Sequence, residues 1–478
     1  MQLRDYQIKA IDDIKQAFAS GFRAPLFQMM CGGGKTAILS HITKGAAQKQ
    51  NHVCIVVHRQ ELVTQTSVAL ARTGVWHNIC ATNNVVQSAI KSQIKSTGRS
   101  YYQYESFVTV ASIQTLIRRM HEYPSFNFLL LDEAAHACAA TWTKLISYYP
   151  KAKILGVTAT PQRLDGRGLG VESGGVFDTL INGPSVKHLI EQGWLSDYKV
   201  YAPPNDLNLD GIKKIAGDYA KNELVKLVDK NKITGDVIEH YKKICNGVPS
   251  IAFCVSIEHA KHVAEQFKAA GYRAACIDGK LDDYTRRSYI DALGCGGLNV
   301  LTSCEIISEG TDIPIVGAVI LLRPTHSLSL HLQQIGRGLR LYQDKEYVII
   351  LDHVGNIARH GFPDDAREWT LEGRSFKNKK ISDKILSIRQ CLNCYAIYPA
   401  NLNICPQCKT PLQKSTREIQ QEEGQLIEIQ RLQERRQARI EQGRAQALKD
   451  LIELGKRKGY KNPYAWAKYV FNARIKTA

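Results

Sequence analysis

Phe27-Gln28-Met29-Met30-Cys31-Gly32-Gly33-Gly34-Lys35-Thr36 closes an apolar stretch with three glycines, a lysine and a threonine, and a helical pattern from Ala37 to Gly45 follows at once. Strand, glycine loop and helix in that order are the setting in which a chain cradles phosphate. Glycines let backbone N–H groups face the phosphate oxygens, Lys35 adds charge, and Thr36 offers a hydroxyl to magnesium. Met29 stands where the strict pattern has its first glycine. An ordinary glycine turn gives no reason for Lys-Thr at that spacing.

Outward from this loop, short apolar runs alternate with helical stretches: Pro25 to Met30, Val53 to Val57, Phe107 to Val110, Phe128 to Leu131 and Ile154 to Val157. A second series follows at Ile251 to Val255, Ala274 to Ile277, Val300 to Thr302, Ala318 to Leu322 and Tyr347 to Leu351. Such alternation predicts an α/β chain of two tandem parallel-sheet lobes with helices on both faces. The lobes are assigned to residues 1–197 and 248–365, with a connector at 198–247 that carries a helical stretch from Asp218 to Cys245. A polar linker, 366–390, then leads to a cysteine cluster, 391–410, and to a charged, helix-like run with a basic and aromatic tail, 411–478.

A length of 478 residues predicts about three domains, and 44% hydrophobic with 23% charged residues is a globular balance rather than a disordered or fibrous one. The formal charge of +18 points to a polyanionic partner, because basic surface is drawn to phosphate backbones. No basic segment followed by an apolar stretch opens the sequence, and no run reaches the ~18 apolar residues of a membrane helix. A cytoplasmic location, in a bacterium or a phage-infected host, is expected. Nine of the thirteen cysteines are scattered singly, as with Cys54, Cys254 and Cys276, and read as buried free thiols of a reducing compartment.

Leu129-Leu130-Leu131-Asp132-Glu133 sets two carboxylates at the tip of an apolar strand. Asp132 suits magnesium, and Glu133 suits the orientation or deprotonation of an attacking water. Gln333, Gly336, Arg337 and Arg340 fall on a helix expected to begin near Leu328, with both guanidiniums on one face. Alone, this is a basic surface helix; beside a phosphate loop it offers charge to a transition state. Cys391, Cys394, Cys405 and Cys408 form two Cys-x-x-Cys pairs suited to one closed, structural zinc site. In the tail, Lys456, Arg457 and Lys458 precede Trp466, a mixture that can contact phosphates and stack on bases or fold its rings onto the rest of the chain.

Together these motifs resemble superfamily 2 helicases and translocases over roughly Leu3 to Gly361. The resemblance implies two RecA-like lobes with ATP and magnesium in their shared cleft. Leu3-Arg4-Asp5-Tyr6-Gln7 looks like the adenine-reading motif, with Gln7 as reader, and Gly32, Gly33, Gly34, Lys35, Thr36 and Asp132 would hold the phosphates and metal. Val57-His58-Arg59-Gln60-Glu61-Leu62 and Ala111-Ser112-Ile113-Gln114-Thr115 are similar to the first lobe's nucleic-acid contacts. Thr158-Ala159-Thr160-Pro161 looks like the element that links hydrolysis to strand movement. Ile251 to His259, which includes Ser256, resembles motif four, and Thr302 with Ser308-Glu309-Gly310-Thr311-Asp312-Ile313-Pro314 resembles motif five. Gly310, Asp312 and Gln333 would then face the nucleotide, and Thr302 the strand. The style is closest to bacterial and phage DNA helicases of the RadD type, so single-stranded, forked or branched DNA is the expected partner. An RNA helicase, a duplex translocase and a DNA-binding scaffold with a weakened motor are the alternatives. Relatives carry Asp-Glu-Ala-His; here Ala135 takes the histidine's place and His136 follows, which puts the coupling role of that position in question.

Overall fold

The computed structural model describes residues 3–163, 166–202, 212–215, 218–228, 231–304, 313, 315–343 and 345–372, and in the C-terminal part 388–390, 397–399, 404, 411, 427–429, 447–457, 462–465 and 467–468. Met1–Leu386 with Glu423–Leu426 forms one compact unit, and Ser387–Glu422 with Ile427–Ala478 a second.

In the first lobe, strands β1 (Pro25–Gln28), β2 (Val53–Val57), β3 (Asn78–Cys80), β4 (Val108–Ser112), β5 (Phe128–Asp132), β6 (Lys153–Thr158) and β7 (Thr179–Asn182) form a parallel sheet in the order β3-β4-β2-β5-β6-β1-β7. Val53, Ile55 and Val57 of β2 face one core with Ile11, Ile14, Ile38 and Leu70, while Cys54 and Val56 face the other with Leu116, Trp142 and Leu145. Both faces are covered, which is why the strand reads as five consecutive apolar residues. Helices α1 (Asp5–Ala19), α2 (Lys35–Gln48), α3 (Gln60–Arg72), α4 (Asn83–Thr97), α5 (Ile113–Arg119), α6 (Ala140–Tyr148) and α7 (Val186–Glu191) complete the lobe.

The second lobe begins earlier than the sequence suggested. Strand β8 (Asp197–Ala202), split between the first lobe and the connector in the sequence reading, pairs in parallel with the last strand of the second lobe. Its alternation of polar and apolar residues, with Tyr198 and Val200 buried, fits a strand packed more fully on one face. A short hairpin follows, β9 (Lys214–Ile215) with β10 (Asp218–Tyr219), and then helices α8 (Lys221–Val228) and α9 (Asn231–Ile244). The helical stretch expected from Asp218 is thus a strand end and two helices. Strands β11 (Ser250–Phe253), β12 (Ala274–Ile277), β13 (Val300–Ser303), β14 (Ala318–Leu321) and β15 (Tyr347–Asp352) join β8 in the parallel order β12-β13-β11-β14-β15-β8. Helices α10 (Ile257–Ala269), α11 (Asp283–Gly294), α12 (Leu328–Gly338) and α13 (Asn356–His360) accompany them. The scattered cysteines are free; Cys54 and Cys254 are buried as expected, Cys276 is half-buried and Cys295 is exposed.

In the second unit, β16 (Ile388–Gln390) and β17 (Ile397–Pro399) pair antiparallel, and Ile404 bridges Pro411 in the same sense. Cys391, Cys394, Cys405 and Cys408 lie outside the described residues, as do Lys458 and Trp466. The charged run is not one helix: Ile427–Ile429 is strand β18, as Ile-Glu-Ile alternation favours, and α14 spans Leu448–Arg457. Leu451 and Leu454 of α14 are buried with Ala467, while Lys456 and Arg457 are exposed at its end. No helix among the described residues is long and apolar enough to cross a membrane.

Four histidines are held neutral by the fold. Burial lowers His77 and His360 to about 4 and His353 to about 3, and drives His331 down as well. A group whose folded pKa lies below its unfolded value near 6.5 stabilises the fold above that pH and loses this contribution as pH falls toward the folded value. His77, His353 and His360 should each cost about 1 kcal/mol between pH 7 and pH 5.5. Asp132, pushed by burial up to about 6, acts in the opposite sense and offsets roughly one of them. The thermal unfolding temperature is therefore expected to drop steeply from pH 7 to pH 5.5, with a shallower slope in His77→Gln.

Candidate functional site

The phosphate loop joins the end of β1 to the start of α2, at the carboxyl edge of the first sheet, where parallel sheets place their ligands. Gly34 caps α2 with φ +90° and Gly32 has φ +87°, values that side chains resist. Met29 is fully buried beneath the loop, and a Cβ at Gly33 would come within 2.7 Å of its sulfur. Methionine thus fits the first position of this loop, because the left-handed backbone falls on Gly32 and Gly34 instead. Tyr6 Oη donates to the Gly33 carbonyl at 2.8 Å, and Gln7 Nε2 lies 3.5 Å from the same oxygen. Gln7 is buried, its Oε1 accepting from the Arg4 amide at 3.0 Å. Beside it Arg4 lies over the Trp194 ring, 4.4 Å from the centroid, and Tyr6 stands 6.3 Å from that ring. Trp194 was not singled out from the sequence; no motif carries it.

Asp132 and Glu133 emerge from β5, next to β6 and two strands from β1. Glu133 adopts φ +51°, ψ +51°, a left-handed conformation that costs a residue with a Cβ on the order of 1 kcal/mol or more and that clusters at functional sites. Lys35 Nζ lies 3.3 Å from Glu133 Oε1, both side chains only 11% and 13% exposed. Burial opposes the charge on Lys35, but Glu133, then Cys31 and Asp132, outweigh it and its pKa stands above the ordinary lysine value. Burial, then the Glu133 charge, raises Asp132, while Lys35 and the Arg337 guanidinium hold it down. Arg337 belongs to the second lobe, so a cation of one lobe acts on a carboxylate of the other.

Helix α12, which carries that arginine, packs against the loop. Ser327 caps it by accepting from the Leu330 amide. A Cβ at Gly336 would come 2.9 Å from the Cys31 Cβ, and one at Gly32 would come 3.4 Å from Arg340 Cγ, so glycine at both positions permits the approach. Gln333 and Arg337 are 7% and 5% exposed. Arg340 does not continue the helix, as the sequence spacing suggested; α12 ends at Gly338, which sits tightly on Val348 and Val319. Thr160 Oγ1 of the first lobe and Ser329 Oγ of α12 are 2.5 Å apart. Gln28 Nε2 donates to the Ala159 carbonyl at 2.9 Å, which ties the end of β1 to the same Thr-Ala-Thr element.

The first lobe's nucleic-acid candidates gather at the ends of β2 and β4, which are neighbours. Gln114 Nε2 donates to the His58 carbonyl at 2.8 Å, Thr115 sits on the Ser112 cap of α5, Arg59 precedes α3 and Gln60 opens it, exposed. The His136 ring stacks on His58, centroids 4.8 Å apart and planes 17° apart, which puts it beside the strand-contact motif. In the second lobe one expectation changes. Thr302 is fully buried in β13 with its hydroxyl given to the Ala260 carbonyl at 2.7 Å, so it braces the core and does not face a strand. Ser256 is half-exposed and caps α10, its Oγ accepting from the His259 amide at 3.0 Å. Gly310 and Asp312 lie outside the described residues. Among the described residues no group of three or more His, Cys, Asp or Glu is placed to hold a metal alone. At the phosphate loop, Thr36 and Asp132 could share magnesium with phosphate oxygens, the usual way that ion is held.

Residues 1–163 match the family described as "Type III restriction enzyme, res subunit", and residues 230–342 match "Helicase conserved C-terminal domain". The 51.5 kDa protein of Lactococcus phage (isolate 7-9) is 31% identical over 383 residues, 80% of this chain and 77% of that protein. IRC3 of Saccharomyces cerevisiae, which carries the name of an ATP-dependent helicase, is 30% identical over 371 residues, 74% of this chain. The chain spans about half that relative's length, 51%. Among solved structures, a fragment assigned to the HsdR subunit of a type I restriction enzyme from Vibrio vulnificus aligns over 76% of this chain and 67% of its own, at 21% identity and a TM-score of 0.55. The DNA-bound type ISP restriction-modification enzyme LlaBIII aligns over 74% of this chain and 28% of its own, at 17% identity and a TM-score of 0.53. These likenesses show the fold, two tandem RecA-like lobes. With both lobes matched in order and the phage relative aligned over most of its length, the chain belongs to the superfamily 2 helicases, enzymes that hydrolyse ATP.

Proposed function

We propose that the protein is an ATP-driven motor that moves on or unwinds single-stranded, forked or branched DNA during replication, recombination or repair. The observation that carries this reading is the composite cleft: Gly336 of the second lobe packs against Cys31 of the phosphate loop, and Ser329 meets Thr160. ATP bound between Lys35, Thr36 and Asp132 on one side and Gln333, Arg337 and Arg340 on the other would hold the lobes together, and hydrolysis would release them. Lys35 would neutralise the outer phosphates, Glu133 would orient the water, and Gln7 would read the adenine. His58, Arg59, Gln60, Gln114 and Thr115 would grip the strand on the first lobe, helped by the net charge of +18. The choice of DNA is supported by the DNA-bound LlaBIII structure, whose fold this chain shares.

The four cysteines of the second unit would bind one zinc. Their donor set fits it, and each pair is bracketed by an antiparallel pairing, β16 with β17 and Ile404 with Pro411. Closed tetrahedral zinc of this kind braces a fold and takes no part in hydrolysis. Lys456, Arg457, Lys458 and Trp466 would extend the DNA grip.

Displacement of a labelled strand from a forked duplex, run beside displacement of a third strand from a triplex, tests the motor reading. ATP-dependent release of the forked strand is expected. Release of the triplex strand alone would replace unwinding with duplex translocation, and release of neither would refute the motor.

A further inference from the structure

The hairpin β9–β10 belongs to no motif, yet it contacts the loop that leads into α12. Tyr219 is buried with Leu224 and Val255, which seats the hairpin at the end of β11. Asp218 is thereby aimed at the loop that joins β14 to α12. Its Oδ1 accepts from the His326 amide at 2.6 Å and from Thr325 Oγ1 at 3.0 Å, and its Oδ2 takes Arg323 Nη2 at 3.1 Å. The side chains of Arg323 and Asp218 are 7% and 15% exposed, so the ion pair is nearly dry. Hydrogen bonds to a charged group in such surroundings are the strong ones, and breaking one partner of a buried pair is costly.

The same loop is held from the other side by the segment after β15. Asn356 accepts from the Thr325 amide at 3.0 Å and donates to the Arg323 carbonyl at 2.9 Å, and His360 Nε2 lies 2.8 Å from the Thr325 carbonyl. Tyr219 stands 5.7 Å from the His326 ring and the Arg359 guanidinium lies 5.7 Å from the Tyr219 ring. Residues 323–326 are thus clamped on two sides, and the next residue, Ser327, is the cap of α12. Two residues on, Ser329 meets Thr160; ten residues on from the cap, Arg337 acts on Asp132. Any shift of the loop along the helix axis moves both contacts, because a helix transmits displacement along its length.

We propose that Asp218 is a positioning residue for ATP hydrolysis: from the β9–β10 hairpin it fixes the cap of α12, and with it the placement of Arg337 and Ser329 in the cleft. This rests on the assignment of Arg337 to the phosphates. It gives a role to a stretch whose sequence showed none.

The test is steady-state ATP hydrolysis by the full chain, well below the unfolding temperature. The variants are Asp218→Asn, Thr325→Val, Ser329→Ala, the double variant Asp218→Asn with Ser329→Ala, and Arg337→Ala as control. Asp218→Asn is expected to lower kcat about tenfold while KM for ATP changes less than about twofold, the pattern of a group that acts only in the transition state. Thr325→Val, which leaves the ion pair intact but removes the Thr325 hydroxyl from Asp218 and from the Ser327 amide, is expected to lower kcat about threefold in the same way, with thermal unfolding checking that the variant is folded. Both positions act through one helix turn, so the double variant should lose less than the product of the two single losses. Three results would overturn the proposal: unchanged kcat in both Asp218→Asn and Thr325→Val beside an inactive Arg337→Ala; losses of kcat that KM matches; or losses that multiply fully with Ser329→Ala. An active Arg337→Ala would overturn the phosphate assignment itself and the proposal with it.

Discussion

Arg337→Ala is expected to lower ATP turnover by about 10³-fold or more, the range seen when an arginine that meets the transferring phosphoryl group is removed. The reason lies in its surroundings. Arg337 is 5% exposed, next to Gly336, where α12 approaches the phosphate loop, and its charge reaches Asp132 of the other lobe. A guanidinium placed there stabilises charge that grows on the phosphoryl oxygens as the bond to the leaving group breaks. Lysine should not restore activity, because a point charge on a flexible stem cannot reproduce the planar fork. The loss should fall on kcat, with ATP still binding through Lys35 and the loop amides. Stopped-flow binding of a fluorescent ATP analogue beside turnover measurements checks this; equal weakening of binding and turnover would move Arg337 from the transition state to simple nucleotide binding.

Glu133→Gln is expected to reduce turnover about 10²- to 10⁴-fold, the contribution of a positioned general base. Glutamine keeps the length and the αL backbone but cannot take a proton from water. It also removes the carboxylate charge 3.3 Å from Lys35, so the ammonium is less strongly held away from the phosphates. ATP affinity should hold or increase. Isothermal titration with MgATP against the variant, together with its residual hydrolysis, decides the point; a variant that hydrolyses normally would show that water is oriented by another group.

The phosphate loop and Glu133 were legible in the sequence because their signals are local. A phosphate loop and an Asp-Glu pair each sit within a few residues of one strand end, and a sheet buried on both faces makes its strands read as unbroken apolar runs, as β2 and β5 do. What escaped was of two kinds. Short or edge strands leave weak periodicity: Asn78–Cys80 has three residues, and β7 and β8 are only partly covered. Contacts made by distant segments leave no pattern at all. Thr160 and Ser329 are 169 positions apart, and Asp218 lies 108 positions from the His326 amide it accepts. Trp194, beside Tyr6 and Arg4, is of the same kind. Thr302 shows the converse: its place in a motif suggested a strand contact, but a central strand between two neighbours turns its hydroxyl into the core. Arg340 was put on the helix by spacing alone, and the tight seat of Gly338 ends the helix before it.

Steady-state ATP hydrolysis by the purified protein, alone and with single-stranded, forked or duplex DNA and with RNA, tests most directly whether the cleft drives movement on DNA. The predicted result is strong stimulation by single-stranded or forked DNA that disappears in Glu133→Gln. Stimulation by RNA alone would reassign the substrate, and hydrolysis indifferent to every nucleic acid would contradict the motor.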